Sequence, residues 1–117
     1  AFLGLGGRIP TADDAPAGAM PRARRALLAA AGLLVVDEAS MVRADLLDAL
    51  DRAMRAARDR HRPFGGARLL LVGDPWQLPP VVPEDDAPLL AALGYPPGAH
   101  VFDAHALRGA DGAPRLR

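Results

Sequence analysis

Two unbroken apolar quartets and one periodic stretch organise the chain. Leu33-Leu34-Val35-Val36 and Leu69-Leu70-Leu71-Val72 show no polar alternation and are flanked by glycine or charge. Runs of this kind predict strands buried on both faces. Between them, residues 43–60 carry helical spacing, with Leu46, Leu47, Leu50, Met54 and Ala57 on one stripe. The first half of this helix holds Asp45, Asp48 and Asp51; the second holds Arg52, Arg55, Arg58 and Arg60. That order complements the helix dipole. Asp48 with Arg52, and Asp51 with Arg55, are also spaced for i,i+4 pairs. Pro63-Phe64-Gly65-Gly66 breaks the helix. Upstream, Pro21 suits a first helical position, residues 22–31 favour helix, and Gly32 stops it. A short helix is predicted at 87–93 and a brief third strand at Val101-Phe102. Residues 1–19 and the tail from Gly109 read as irregular. Strand, helix, strand in this order is a parallel crossover unit, so the predicted class is α/β.

Composition narrows the chemistry. The chain has 117 residues, a usual length for one core. Hydrophobic residues make up 50%, enough to fill that core, although aromatics supply only 4%. There is no cysteine, which excludes a disulfide framework, a thiolate metal site and a cysteine nucleophile. There is no lysine either, since all fourteen basic residues are arginine, and fourteen Asp plus Glu cancel them. A zero balance offers no electrostatic case for DNA or membrane binding, though it leaves local patches open. The missing lysine excludes Schiff-base chemistry and a phosphate-gripping lysine within this chain. No apolar run reaches the roughly 18 residues of a membrane span, and no signal peptide is visible. A cytoplasmic protein is therefore expected.

Each quartet ends in a carboxylate, Asp37 or Asp74. Ligands of open α/β sheets sit outside the carboxyl ends of the strands, so both loops are candidates for one site. LLVVDEAS, residues 33–40, has the form called Walker B. There the first carboxylate can hold magnesium, usually through water. The next residue can activate an attacking water as general base. The alternative is a solvated Asp-Glu pair capping the next helix, a role open to Ser40 as well. LLLVGDPWQLPPV, residues 69–81, is more specific. Gly73 allows a sharp turn after the strand. Asp74 and Gln77 are close enough to line one loop, where the amide can donate to a γ-phosphate oxygen or orient water. Pro79-Pro80 stiffens the exit. A proline-rich surface turn with an exposed Trp76 is the plain alternative.

LLVVDEASMV followed about thirty residues later by FGGARLLLVGDPWQLPPV resembles motifs II and III of superfamily-one DNA helicases, most closely the RecD-like and Pif-type branch. Ala1 to Leu5 resembles the end of motif Ia, and Val101-Phe102 the stretch after motif III, so the likeness spans about 1–108. It implies a RecA-like P-loop NTPase domain with a parallel sheet. It implies ATP-driven unwinding of duplex DNA, 5′ to 3′ on the tracking strand, in DNA repair or recombination, with a nucleoid-associated, bacterial-type location. By the same resemblance Asp37 serves magnesium and Glu38 is the catalytic base. Gln77 senses the γ-phosphate, Asp74 supports that loop, and Trp76 stacks on single-stranded DNA or packs between subdomains. Walker B and motif II occupy 33–42, motif III 64–82.

The chain departs from the family in two respects. Gly4-Leu5-Gly6-Gly7 lacks the Gly-Lys-Ser/Thr of a P-loop, so its strand and helix are expected to be missing. No arginine stands in the context of the second RecA-like domain's finger. The chain therefore reads as a partial RecA-like motor domain over 1–117, inactive alone, whose partners are ATP, DNA, a P-loop segment and a second RecA-like domain. Two other readings remain open. One is the helicase part of a conjugative relaxase, which would carry a histidine-cluster nuclease domain upstream. The other is a non-catalytic RecA-like module used for protein contacts. His61, His100 and His105 show no recognised ligand spacing. The arginines from Arg52 to Arg68 suit the helix dipole or a DNA contact. Glu84-Asp85-Asp86 reads as a solvated loop, as does Asp13-Asp14.

Overall fold

A computed structural model describes residues 21–109. The expectations for residues 1–19 and for the tail beyond Gly109 fall outside the described residues. The elements are α1 (Arg22–Ala30), β1 (Leu33–Val36), α2 (Ala44–Ala57), β2 (Arg68–Leu71) and α3 (Ala87–Ala92). Short 3-10 turns lie at Ala39–Met41, Pro63–Gly66, Val101–Asp103 and His105–Leu107. β1 and β2 pair in parallel, in register from Leu33 opposite Arg68 to Val36 opposite Leu71. The α/β crossover predicted from sequence is therefore the architecture, with α2 as the connecting helix.

α1 begins one residue after Pro21, whose carbonyl accepts the bond from Arg25 N at 3.0 Å. It ends at Ala30 because Ala31 turns extended, leading directly into β1. Gly32 is not in a left-handed conformation, so it does not cap the helix as expected. α2 is shorter than the predicted 43–60. It stops at Ala57, and the turn of Pro63–Gly66 folds back onto it. In that turn Phe64 and Gly65 both have positive φ. A Cβ on Gly65 would lie 2.6 Å from the Met54 carbonyl oxygen, so only glycine fits there. The expected third strand at Val101-Phe102 is a 3-10 turn instead. Asp103 accepts from the His100 backbone N at 3.0 Å, and this local bond curls the segment.

The core lies between α2 and one face of the sheet. Leu47 and Met54 from α2 are fully buried with Leu28, Phe64, Leu90 and Val101, and Leu34, Val36, Leu69 and Leu71 pack against them. The expectation of strands buried on both faces does not hold for the described residues. Successive strand side chains point to opposite faces, and the other face leaves Val35 58% and Leu70 48% exposed. The predicted stripe of α2 is also rotated. Leu46 is at its edge, exposed, whereas Ala44, Ala49 and Ala53 are buried with the three aspartates.

Those aspartates are the largest surprise of the fold. Asp48 accepts from the Tyr95 hydroxyl at 2.7 Å and from the backbone N–H groups of His105 at 2.9 Å and Ala106 at 2.7 Å. Asp51 accepts from Phe64 N at 2.6 Å and from Arg55 Nε at 2.7 Å. Asp45 takes two bonds from Arg43, at 2.9 and 2.8 Å, and Arg43 also reaches Asp86 at 2.6 Å. Buried carboxylates persist when their oxygens are satisfied; Asp48 and Asp51 each close a contact between distant segments, and Asp45 fixes the Arg43 that reaches Asp86. The expected Asp51–Arg55 pair forms. The expected Asp48–Arg52 pair does not, because Asp48 is already occupied. Arg52 Nε and Nη2 are left buried without a partner. Asp86 is likewise an ion-pair partner, not the solvated loop residue expected. Burial, then the bond to Asp48, holds the Tyr95 phenol well above its ordinary pKa.

Candidate functional site

The two predicted loops leave the sheet at the same end. β1 stops at Val36, and the exposed Asp37 accepts the Glu38 backbone N at 2.9 Å through Oδ1. Its second carboxylate oxygen has no donor among the described residues. Glu38 then takes a left-handed backbone, φ 51 and ψ 43. A non-glycine residue there costs of order 1–3 kcal/mol and persists only where surrounding bonds hold it. Here Met41 N bonds to the Glu38 carbonyl at 3.0 Å, and Ala39 N bonds across to the Val72 carbonyl at 2.9 Å.

The Ala39–Val72 bond joins the two loops directly. Gly73 seals the junction: a Cβ on it would lie 2.9 Å from Ala39 N and 3.2 Å from Ser40 N. Its φ is not in the left-handed range. The glycine expected for a sharp turn is therefore required for close approach of two backbones. Beyond it, Asp74 accepts from Trp76 N at 2.9 Å, and its carbonyl accepts from Gln77 N at 3.0 Å. The Gln77 amide reaches Asp74 Oδ2 loosely, at 3.5 Å. Asp74 and Gln77 thus line one loop as predicted. Trp76 is 94% exposed. The loop ends as Pro80 becomes buried.

The structure therefore brings Asp37, Glu38, Asp74 and Gln77 to one end of the sheet, all exposed. None of them caps α2, which starts at Ala44 with Arg43 before it. Ser40 does not cap either, for its hydroxyl is buried without a partner. It lines a groove of about 260 Å³ with Ala39, Leu69, Leu71, Gly73 and Phe102. This groove runs along the outer edge of β2, which pairs with no strand other than β1 among the described residues. A second cleft, of about 370 Å³, opens between Met41 and Trp76, Gln77, Leu78 and Pro79. Sequence reasoning missed Ser40 and Met41 as lining residues. The only signal was their place in a loop directly after the acidic pair.

The histidines have local roles. The His105 ring stacks on Tyr95, centroids 4.6 Å apart, and His100 opens the turn that Asp103 closes. Among the described residues no group of three His, Asp or Glu could hold a metal by protein ligands alone. Magnesium does not need one, since it keeps several waters and binds through one or two carboxylates plus phosphates. Asp37, exposed and with one oxygen open, fits that demand. The arginine cluster divides: Arg55 is paired with Asp51, and Arg58 bonds to the carbonyls of Gly65 and Ala29. Arg60, Arg62 and Arg68 are exposed. No helix among the described residues is long and apolar enough to cross a membrane.

A family model for PIF1-like helicases matches residues 15–92. The chain belongs to the PIF1-like helicase family. Human ATP-dependent DNA helicase PIF1 is 43% identical over 89 residues, covering 75% of this chain and 14% of the human protein. The Saccharomyces cerevisiae (strain YJM789) helicase of the same name is 53% identical over 57 residues, 49% of this chain and 7% of the relative. In structure, Bacteroides Pif1 bound to single-stranded DNA superposes with a TM-score of 0.80 at 33% identity, over 92% of this chain and 25% of that one. Bacteroides Pif1 in complex with ADP-AlF3 and single-stranded DNA matches equally, with a TM-score of 0.80. The partial RecA-like fold expected from the motifs is thereby established. The PIF1-like chain spans about a seventh of the human relative's length and a quarter of the Bacteroides one.

Proposed function

We propose that this chain is the magnesium- and water-handling part of an ATP-driven DNA helicase motor. One observation carries the reading. The Ala39–Val72 backbone bond holds the two acidic loops side by side, with Asp37, Glu38, Asp74 and Gln77 open to solvent at one strand end. The relatives named ATP-dependent DNA helicases, and the Bacteroides neighbour with ADP-AlF3 and single-stranded DNA, support it. Neither the relaxase part nor a non-catalytic module gains support from these relatives.

Each residue then has a task. Asp37 would hold a hydrated magnesium ion, which would supply neutralisation of phosphate charge. Glu38, exposed at the strand end on a left-handed backbone, takes the proton of the attacking water. Gln77 donates its amide to the terminal phosphate, and Asp74 braces the loop that carries it. ATP and DNA are the substrates, and movement 5′ to 3′ in repair or recombination belongs to the same reading, as does a cytoplasmic, DNA-associated setting. The phosphates themselves need a donor set this lysine-free chain lacks. A P-loop segment joining the open edge of β2, beside the unpartnered Ser40 hydroxyl, would supply it, and a second RecA-like domain would close the site.

The test is reconstitution. Fused to a P-loop segment and second domain from the family, the chain should give DNA-stimulated ATP hydrolysis, whereas alone it should give none. Glu38→Gln in the fusion should lower turnover by about 10²–10⁴-fold, the usual worth of a positioned general base. A folded fusion without turnover, or one indifferent to Glu38→Gln, would sink the assignment.

A further inference from the structure

We infer that a cleft on the acidic side of α2 seats one carboxylate side chain of an acidic partner protein, held by the guanidinium of Arg52. The cleft measures about 230 Å³ and lies between α2 and the turn His105–Leu107. Asp48, Asp51, Arg52 and Arg55 line it from the helix, His105 and Ala106 from the turn. None of these residues takes part in the nucleotide chemistry proposed above.

Arg52 is the residue that lacks a partner here. Its Nε and Nη2 are buried and bonded to nothing. In a guanidinium these two nitrogens share one edge, and their N–H bonds on that edge run parallel. Such an edge matches the two oxygens of a carboxylate, the bidentate geometry of the strong pairs. A buried charged donor without an acceptor is costly, and an acceptor that reaches it recovers the loss. The acids of the lining cannot serve. Asp48 gives Oδ2 to the Tyr95 hydroxyl and the His105 N–H, and Oδ1 to the Ala106 N–H. Asp51 gives Oδ1 to Phe64 N and Oδ2 to Arg55 Nε. The acceptor must come from beyond the cleft's own walls. Turning the free edge of Arg52 into the cleft breaks no bond, since those two nitrogens make none.

Charge then selects among oxyanions. Arg52 and Arg55 are balanced in the lining by Asp48 and Asp51, so the cleft exerts no general pull on anions. A nucleic-acid strand would press repeated phosphates against the two aspartates. A single carboxylate brings one charge and makes the two bonds that Arg52 lacks. The His105 ring, 54% exposed and stacked on Tyr95 with centroids 4.6 Å apart, gives the seat a rigid rim.

The Nε–H of Arg52 has its own signal in a proton–nitrogen NMR spectrum, which a chain of 117 residues allows. The labelled chain is titrated with acetate, with the blocked peptide acetyl-Gly-Glu-Gly-amide, with its glutamine counterpart, with inorganic phosphate, and with chloride at matched ionic strength. Acetate and the glutamate peptide should shift the Arg52 Nε–H and Ala106 N–H signals saturably. The glutamine peptide and chloride should shift neither. Arg52→Lys keeps the charge but loses the fork, and should weaken binding about tenfold, read at Ala106 N–H. Arg52→Gln should abolish it. Circular dichroism checks that both variants fold, and the titration of the parent chain decides by itself if they do not. An Arg52 signal unmoved by acetate and the glutamate peptide, or moved equally by chloride, overturns the seat. Equal shifts with phosphate overturn its assignment to a carboxylate. Undiminished binding by Arg52→Lys overturns the fork. Shifts that follow protein concentration without added ligand assign the acid to a second copy of this chain and overturn the separate partner.

Discussion

Six carboxylates lie within fifteen residues of each other or at matching strand ends, and they fall into two opposite states. Asp45, Asp48 and Asp51 on α2 are buried and fully engaged: Asp45 by the adjoining Arg43, Asp48 and Asp51 by donors that include remote ones, Tyr95 and Phe64. Asp37, Glu38 and Asp74 at the strand ends are exposed, bonded only within their own loops. Residue type does not separate the groups; donor supply does. Asp48, buried and accepting three protein bonds, has both oxygens committed to the fold. An aspartate that accepts a single neighbouring N–H, in solvent, has capacity for a ligand and little structural duty.

The strongest way to break this contrast is to exchange the two classes. Asp48→Ala strands a buried phenol and two backbone N–H groups, and a fall of about 3–5 kcal/mol is expected. Thermal melting should show it as a drop of at least about 10 °C. Asp37→Ala should stay within about 0.5 kcal/mol of the parent. Equal losses from the two would remove the distinction. An intermediate effect is expected at the junction of the loops. Gly73→Ala drives a methyl group into the backbone of Ala39 and Ser40 and should cost about 1–3 kcal/mol. In the reconstituted motor it should also lower ATP turnover, since it displaces Glu38. A melting temperature unchanged by Gly73→Ala would mean that the loops are not in contact in solution. A smaller effect than either loss has the opposite sign. Glu38→Gly relieves a left-handed backbone and should raise stability by about 1 kcal/mol. It should still abolish turnover in the fusion. Loss of stability instead would place Glu38 with the structural carboxylates.

What the sequence disclosed follows from distance along the chain. The two motif loops were legible because their meaning is local: a strand, then a carboxylate, then a turn residue at fixed offsets. The crossover was legible from the period of the apolar positions. The acidic face of α2 was not, because its donors are remote. Tyr95, His105 and Ala106 lie 47, 57 and 58 residues from Asp48. Read alone, Asp45, Asp48 and Asp51 match a dipole pattern, and nothing in the spacing says that they point inward. The strands misled in a related way. An apolar quartet reports apolar character on both faces, but coverage depends on which elements pack there. Gly73 was singled out correctly for a reason that proved different, since a close approach across two loops has no local signature.

The bond from Ala39 N to the Val72 carbonyl has a last implication, for inheritance. It uses only main-chain atoms, so substitution at either position leaves the groups in place unless proline removes the donor at 39. Gly73 aside, whose missing Cβ lets the two backbones approach, the sequence of both loops can drift in charge and size while their alignment is transmitted intact. A contact made of backbone lets a lineage vary what each loop touches without renegotiating how the two are joined.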